Sequence, residues 1–306
     1  MKAGHVSGAS CSPKKSPAAF AVNRAAVNCG QLRSTAVGAA LRLYVAHPQD
    51  CPRWYSPFGI YSACVRKVPA LPCGIGEGVM AKVDRAQAER VLARVGWLSQ
   101  QPKAFQAQVL QRSVLMRFGP RETIYRCGDP LGGVYGIVQG AVTVTTAPPA
   151  ATPRLLHLGM PGSWIGEGCF LVREPRRVGM QAAMESWVMH LPLDAMDQIA
   201  SQDALAVRHF TRILMQNLDI LVRAFYDLQN PDEHRRVALA LLRISPAAGN
   251  AIPLSQADLG VMSNTQRKGV NAALQRFAAA GWVSKRYRSV TLTDIGALRR
   301  FASAEQ

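Results

Sequence analysis

Near the C-terminus, Arg267 and Asn271 lie about one helical turn apart and carry side chains that can read nucleobases. A guanidinium presents two donors to guanine, and a carboxamide pairs with adenine through one donor and one acceptor. Both fall on the polar face of a predicted helix, residues 266–279, whose opposite face is apolar. The major groove is about 12 Å wide and admits such a helix. The segment therefore predicts a helix that contacts DNA bases.

A capped helix and a tight turn precede this segment and would position it. Ser255 and Asp258 form a variant of the capping box, in which the first side chain accepts an amide of the first turn. The short helix that they begin ends before a predicted turn at residues 263–265. Asn264 suits that turn because asparagine tolerates a positive φ better than most residues. Gly281 is expected to end the longer helix, so the region predicts a helix–turn–helix.

Residues 282–292 fit a β-hairpin whose tip carries Lys285, Arg286 and Arg288. Such a wing suits contacts with phosphates, which position a protein on DNA without reading its sequence. Residues 231–306 hold eleven Lys and Arg against five Asp and Glu, which indicates a polyanionic partner. Taken alone, a helix–turn–helix is more often structural and a charged hairpin is often only solvated. Their combination favours DNA binding over the competing class, a ligand-binding or interaction module whose basic end meets another protein or RNA.

Residues 117–192 contain short stretches of alternating apolar and polar side chains, with Gly and Pro at the corners between them. Turns about every 8–12 residues are typical of an all-β barrel or sandwich, so a β-roll is predicted here. Residues 134–138 and 141–145 are expected to form two successive arms. Residues 181–191 are expected to form a single closing strand.

Residues 203–229 predict one long helix with an apolar seam at alternating spacings of four and three. Six of the seven seam positions are apolar, namely Val207, Leu214, Leu218, Leu221, Phe225 and Leu228. The helix would be about 40 Å long, which is more than one small barrel can cover. A dimer seam is therefore favoured over burial within one chain. Asn230-Pro231 ends the helix because proline disfavours helical geometry in the preceding residue, and this pair is the predicted hinge between domains.

The composition is that of a globular protein, with 306 residues of which 48% are hydrophobic and 18% charged. A formal charge of +17 requires a polyanionic partner, an anionic surface or a basic tail. Residues 1–79 are such a tail, with nine Lys and Arg against two acids. They resemble an organelle transit peptide, but a disordered extension is the favoured interpretation. Seven cysteines, an odd number, and the lack of an apolar run of about 18 residues predict a cytoplasmic protein with no membrane partner.

No arrangement of residues points to catalysis or to a bound metal. His157 and His190 are isolated in the sequence and are expected to be core residues, whereas a metal-dependent β-barrel enzyme needs clustered histidines. The cysteines lack the short spacings of an iron–sulfur ligand set. The sequence therefore predicts a protein that is not an enzyme, with no catalytic residue and no metal.

The order of these parts resembles the CRP/FNR family of bacterial transcription regulators. The similarity covers residues 80–302 and is most specific at residues 254–283, which align without a gap with the family's helix–turn–helix; residues 125–129, 136–140 and 161–167 of the roll also match. It implies an α+β fold. The parts would be a jelly-roll-like β-roll of the cyclic-nucleotide-binding type (residues 80–202), a dimerisation helix (203–230) and a C-terminal winged helix-turn-helix (231–306).

The resemblance implies a homodimeric, sequence-specific regulator whose partners are double-stranded DNA, a second copy of the chain and RNA polymerase. Arg267, Lys268 and Ala272 fall where the family contacts bases, and Ser255 falls where it contacts a phosphate. The family often has Glu in place of Lys268 and Arg in place of Ala272, so the resemblance does not define the operator. The full predicted DNA-contacting set is Ser255, Gln266, Arg267, Lys268, Asn271, Ala272, Gln275, Lys285, Arg286 and Arg288.

The family's phosphate cassette is Gly-Glu followed, after about nine residues, by Arg and a small residue. Gly166 and Glu167 match its start, and either Arg176 or Arg177 matches its arginine. An acid there could accept from a ribose hydroxyl, and the arginine could clamp a cyclic phosphate.

Other positions of the cassette depart from the family. The small residue after the arginine is missing, and the adenine-contacting hydroxyls would fall near Leu221 and Val222, which are apolar. The roll thus keeps part of a sugar–phosphate site and lacks the base-reading half. No cofactor is therefore predicted, and a cyclic-nucleotide-sensing regulator is the alternative.

Overall fold

The structure is a computed structural model, and it describes residues 82–146, 152–244 and 251–304. The predicted basic extension, residues 1–79, lies outside the described residues, together with five of the seven cysteines.

The described chain begins with a β-roll and its surrounding helices, followed by one long helix and a C-terminal domain. The roll contains α1 (Arg85–Arg94), α2 (Gly96–Ser99), α3 (Lys103–Arg112), β1 (Val114–Phe118), β2 (Thr123–Tyr125), β3 (Val134–Gln139), β4 (Val142–Thr146), β5 (Arg154–Gly159), β6 (Trp164–Ile165), α4 (Gly168–Val172), β7 (Gly179–Ala182), β8 (Ser186–Leu191) and α5 (Leu193–Gln202). The long helix is α6 (Ala206–Leu228). The C-terminal domain contains α7 (Glu233–Ile244), β9 (Ala251–Ile252), α8 (Gln256–Ser263), α9 (Arg267–Ala279), β10 (Val283–Arg286), β11 (Ser289–Leu292) and α10 (Ile295–Ser303).

The strands of the roll form two four-stranded antiparallel sheets, in the orders β1-β8-β3-β6 and β2-β7-β4-β5. An apolar core that includes Ile137 and Met180 lies between the sheets. A second core, which includes Trp97, Trp164 and Phe210, joins the surrounding helices to the first sheet. Helix α6 therefore packs, through Phe210, on the side of the roll that the first sheet forms.

Residues 134–138 and 141–145 form the two predicted successive arms, β3 and β4, but these strands do not pair with each other. β3 pairs with β6 and β8, whereas β4 pairs with β5 and β7 in the other sheet. Gly140 lies at the crossing with a φ of +86°, and a Cβ there would lie 2.4 Å from the carbonyl oxygen of Glu185. Only glycine combines this conformation with so close an approach. The chain therefore passes from one sheet to the other at Gly140.

The prediction of a single strand over residues 181–191 is wrong, because β7 and β8 belong to different sheets. The buried hydroxyl of Ser186 accepts from the N–H of Ala141 at 3.1 Å and donates to its carbonyl at 3.0 Å. These two bonds tie both sheet crossings together. The apolar–polar alternation of the sequence continues from β7 into β8, so it does not show where one strand ends and the next begins.

Helix α6 begins three residues later than predicted, at Ala206. The side chain of Asp203 accepts from the N–H of Leu205 at 2.8 Å, and this bond forms a turn between α5 and α6. Phe210 and Ile213 are buried against the roll and hold the first half of α6 in place. The second half leaves the roll with exposed apolar side chains.

The C-terminal domain has its own core and also packs against β5. Leu158 of β5 belongs to the same buried cluster as Leu241 of α7 and Phe277 of α9. Arg243 of α7 forms an ion pair with Asp227, near the end of α6. Burial raises the pKa of the Asp227 carboxyl, and the charge of Arg243 opposes that shift. The pair therefore joins α6 to the C-terminal domain in a partly desolvated environment.

The predicted hinge is held by one arginine of α7. Arg236 donates from Nη1 to the carbonyl of Asn230 at 2.8 Å and from Nε to the carbonyl of Ser263 at 3.0 Å. Asp232 N–H donates to the side chain of Asn230 at 2.9 Å. The connection after α6 is thus a hydrogen-bonded turn that links the hinge to the end of α8.

Candidate DNA-binding surface and effector pocket

Caps and a tight turn determine where α8 and α9 begin and end. The capping box of Ser255 and Asp258 is formed in both directions and begins α8. Asn264 ends α8 with a φ of 46°, and Gly281 follows α9 with a φ of 75°. These features confirm the predicted helix–turn–helix. Gln266 is the N-cap of α9, so the helix begins at Arg267, one residue after the predicted start.

One face of α9 is buried and the other is free. Its inward positions are Val270, Ala273, Leu274 and Phe277, all of which are buried. Gln266, Arg267, Lys268, Ala272 and Gln275 are exposed, and Asn271 is half-buried. The apolar face fixes α9 to the domain core, so the polar side chains of the opposite face are available to a partner.

Two clefts flank the start of α9. One has a volume of about 390 Å³ and is lined by Glu233, Arg236, Asn264, Thr265, Gln266, Lys268, Gly269 and Ala272. The other has a volume of about 380 Å³ and is lined by Gln256, Ala257, Gly260, Val261, Asn264, Thr265, Gln266 and Arg267. The N-terminal end of α9 therefore stands out as a ridge between two grooves.

The phosphate contact expected of Ser255 competes with its role in the helix cap. Its hydroxyl oxygen accepts from the N–H of Asp258 at 3.1 Å, and its hydroxyl donates to the carboxylate of Asp258 at 2.5 Å. The role that the structure shows for Ser255 is helix capping.

The wing is a two-residue hairpin. Arg286 and Ser289 face each other at its end, and Arg288 adopts a positive φ of 52° in the turn. Lys285, Arg286 and Arg288 are exposed, and Tyr287 between the cations is 92% exposed. Sequence reasoning missed Tyr287, although an aromatic residue at a cationic hairpin tip is a visible signal. β9 adds a third strand that was not predicted.

In the roll, Arg176 and Glu167 are both 6% exposed, and both bind backbone atoms of Gly166. The guanidinium of Arg176 donates from Nη1 to the carbonyl of Gly166 at 3.1 Å, and Oε2 of Glu167 accepts from its N–H at 3.0 Å. Gly166 has a φ of +113°, and a Cβ there would lie 2.5 Å from Nη1 of Arg176. A Cβ on Gly132 would lie 2.2 Å from Nη2. Glycine at both positions lets the backbone close around the guanidinium.

The structure distinguishes between the two candidate arginines. The guanidinium of Arg176 lies 4.2 Å from the ring centroid of Tyr125 and 5.7 Å from that of Tyr135. Arg177 is exposed and forms an ion pair with Glu174. Arg176 is therefore the buried arginine of the predicted cassette, and the side chain of Arg177 lies at the surface.

Helix α6 reaches the buried pair Glu167 and Arg176 through Asn217, a residue that sequence reasoning missed. Its Nδ2 donates to Oε1 of Glu167 at 3.1 Å and to the carbonyl of Trp164 at 3.2 Å. Leu221 and Val222, the positions considered from the sequence, are exposed one turn further along. The contact from α6 to Glu167 is therefore polar.

The guanidinium of Arg176 is buried among aromatic rings and backbone groups and forms no ion pair with a described residue. Burial raises the pKa of Tyr125, against the opposing effect of Arg176. Burial, assisted by Arg176, lowers the pKa of His190, whose ring stacks on Tyr135 at 4.3 Å. Among the residues that the structure describes, no carboxylate lies within ion-pair distance of Arg176.

The comparisons with known proteins agree with this arrangement. Residues 115–203 match the family model "Cyclic nucleotide-binding domain", and residues 235–301 match "Crp-like helix-turn-helix domain", which together cover about half of the chain. The CRP-like cAMP-activated global transcriptional regulator of Mycobacterium tuberculosis is 26% identical over 223 residues, which are 70% of this chain and 99% of that protein. The chain belongs to the CRP/FNR family.

Another curated protein and a solved structure are similar to this chain over comparable lengths. The transcriptional regulator LdrP of Thermus thermophilus is 25% identical over 197 residues, which are 62% of this chain and 97% of that protein. The solved structure of FixK2 from Bradyrhizobium japonicum is 20% identical with a TM-score of 0.55, and covers 63% of this chain and 99% of FixK2. These findings confirm the resemblance and the predicted α+β fold class.

His157 and His190 of this CRP/FNR protein are half-buried in the roll, and each has one fully buried ring nitrogen. Burial lowers the pKa of His157 to about 4, so its ring is neutral at pH 7. Within residues 82–146, 152–244 and 251–304, no cluster of three or more His, Cys, Asp or Glu side chains has the geometry of a metal site. In the same ranges, no helix is both long and apolar enough to cross a membrane.

Proposed function

We propose that this protein is a sequence-specific DNA-binding regulator of transcription that acts as a homodimer and is not an enzyme. The observation that carries the proposal is the free polar face of α9, held beside a cationic wing. Arg267 and Lys268 begin the exposed end of α9, where recognition helices contact base edges. The wing cations suit the phosphates. We also propose RNA polymerase as a partner. Because DNA and RNA polymerase are in the cytoplasm of bacteria, the protein is expected to act there.

The exposed half of α6 supports the proposed dimer. Leu214, Leu218, Leu221, Phe225 and Leu228 are exposed on this helix, and Phe225 is 69% exposed. Val207, at the start of the seam, is exposed as well. A contiguous apolar stripe on a helix favours pairing with another helix. Two paired α6 helices would place two α9 helices in successive major grooves, about one turn of DNA apart.

The proposed function is tested by selecting DNA with the purified full-length chain. Random duplexes are bound, enriched and sequenced, and the enriched duplex is then measured by gel shift with excess nonspecific competitor. We expect a pseudo-palindromic operator with half-sites about one helical turn apart. Enrichment of no sequence would contradict the proposal and favour the competing interaction module.

We predict that Arg286→Ala and Arg288→Ala weaken binding to every duplex by a similar factor. Each arginine is exposed at the wing and suits a phosphate, so each loss should reduce the slope of log affinity against log salt by about 1. The measurement is a salt titration with the operator and with a scrambled duplex. Arg90→Ala removes an exposed arginine from α1 and should leave both slopes unchanged. A selective loss for the operator would contradict the phosphate role.

A second candidate function, sensing of a cyclic nucleotide, is supported by the buried guanidinium of Arg176, which forms no ion pair with a described residue. A buried cation is stabilised by a paired anion, and a cyclic phosphate is an anion that arginine can clamp through two hydrogen bonds. Glu167 next to it could accept from a ribose hydroxyl. Glu167 and Arg176 thus supply groups for a sugar and a phosphate, and the polar contact of Asn217 with Glu167 would link a bound nucleotide to the dimer helix.

We predict that cyclic AMP or cyclic GMP raises the melting temperature of the wild type and of Arg177→Gln, but not of Arg176→Gln. A ligand at about 100 times its dissociation constant stabilises by about 2.7 kcal/mol. Arg177→Gln is the matched control because it changes the neighbouring, exposed arginine. Thermal unfolding is followed with each nucleotide and with inorganic phosphate at millimolar concentration. Absence of a shift in the wild type would exclude both cyclic nucleotides.

A further inference from the structure

We propose that Glu233 determines part of the DNA sequence specificity by accepting a hydrogen bond from a base, preferably from the exocyclic amino group of cytosine. Carboxylates pair with that group in the major groove. The proposal rests on the DNA-binding function proposed above and adds a residue from α7, outside the helix–turn–helix. Nothing in the sequence pattern of α8 and α9 indicates it.

The carboxylate of Glu233 lies directly against the third residue of α9. A Cβ built on Gly269 would lie 2.5 Å from Oε2 and 2.9 Å from Oε1 of Glu233. Any side chain at residue 269 would therefore displace this carboxylate from its place. Glycine inside a helix is less stable than alanine. Here it leaves room for Glu233 to approach the helix backbone.

The neighbouring surface of α9 lacks a polar side chain where a base contact is expected. Gly269 and Ala272 are three residues apart and so lie on one side of α9. Both line the same cleft as Glu233 and Lys268. Ala272 is the position where the family resemblance places a base contact, and its methyl group cannot form a hydrogen bond. Glu233 supplies an acceptor beside that position from the adjacent helix.

The carboxylate of Glu233 is also available to a partner. It is exposed, and among the described residues it takes part in no ion pair or hydrogen bond. The other charged residue of α7 in the cleft, Arg236, is engaged with the carbonyls of Asn230 and Ser263. A free carboxylate within a cationic surface repels phosphate, so it lowers affinity for DNA that offers no donor in return. Such a repulsive element raises specificity.

The test compares four full-length proteins on an operator selected by the wild type and on its single base-pair variants. They are the wild type, Glu233→Gln, Gly269→Ala and the double variant. We expect Glu233→Gln to reduce the preference at one base pair in each half-site by at least about fivefold and to bind a scrambled duplex more tightly. Gly269→Ala displaces the same carboxylate and should relax the same base pair, so the double variant should add little. Glu174→Gln removes an exposed carboxylate of the roll and controls for net charge.

Unchanged base preferences in Glu233→Gln would overturn the proposal. In that case Glu233 would serve only as a negative charge at the N-terminal end of α9, where it stabilises the helix dipole. Relaxation of different base pairs by Glu233→Gln and by Gly269→Ala would overturn it as well. If the wild type selects no operator, the DNA-binding function itself fails, and this result is distinct because it involves neither substitution.

Discussion

Leu218→Glu is expected to convert the protein to a monomer and to weaken operator binding by at least about a hundredfold. Leu218 is an exposed apolar residue near the middle of the free half of α6. In a paired helix seam, the substitution buries two carboxylates close to each other, without partners, in place of two leucines. The operator is expected to have two half-sites, and a dimer binds both at once, which raises its affinity. A monomer binds only one half-site and loses this increase in affinity.

Sedimentation equilibrium gives the oligomeric state, and gel shift on the selected operator gives the affinity. Val172→Glu is the matched control, since Val172 is an exposed apolar residue on α4 rather than on the seam. It should remain dimeric and bind normally. A Leu218→Glu protein that remains a dimer would show that α6 does not form the interface.

Arg267→Ala is expected to cost about 1–3 kcal/mol in each half-site and to relax selectivity at one base pair. Arg267 is the first residue of α9 and is exposed, so its loss leaves the domain core intact. The effect comes from the loss of two parallel hydrogen bonds to one guanine. Melting temperature should remain within the range of other surface substitutions.

Arg267→Lys separates base reading from simple charge. Lysine keeps the positive charge but lacks the planar fork that binds guanine through two donors. If Arg267 reads a base, Arg267→Lys should also relax that base pair, while its salt dependence stays close to that of the wild type. Operator preferences that are unchanged in both variants would show that α9 docks in a different orientation.

Short-range backbone chemistry allowed the C-terminal domain to be predicted from the sequence. The capping box at Ser255, the positive φ of Asn264 and the end of α9 before Gly281 each depend on a few consecutive residues. The apolar seam of α6 is equally local, because it follows from the helical period. Such features determine where helices begin, end and present their faces.

The tertiary structure decided which distant groups meet. The sequence did not show that β3 and β4 belong to different sheets, because alternation specifies a buried face and not the pairing partner. It left Arg176 and Arg177 equivalent, since one residue of loop length determines which side chain enters the roll. Likewise, the approach of Asn217 to Glu167 joins residues 50 positions apart. The contact of Glu233 with Gly269 depends on how α7 packs on α9, and packing over such separations is set by the whole core rather than by either segment.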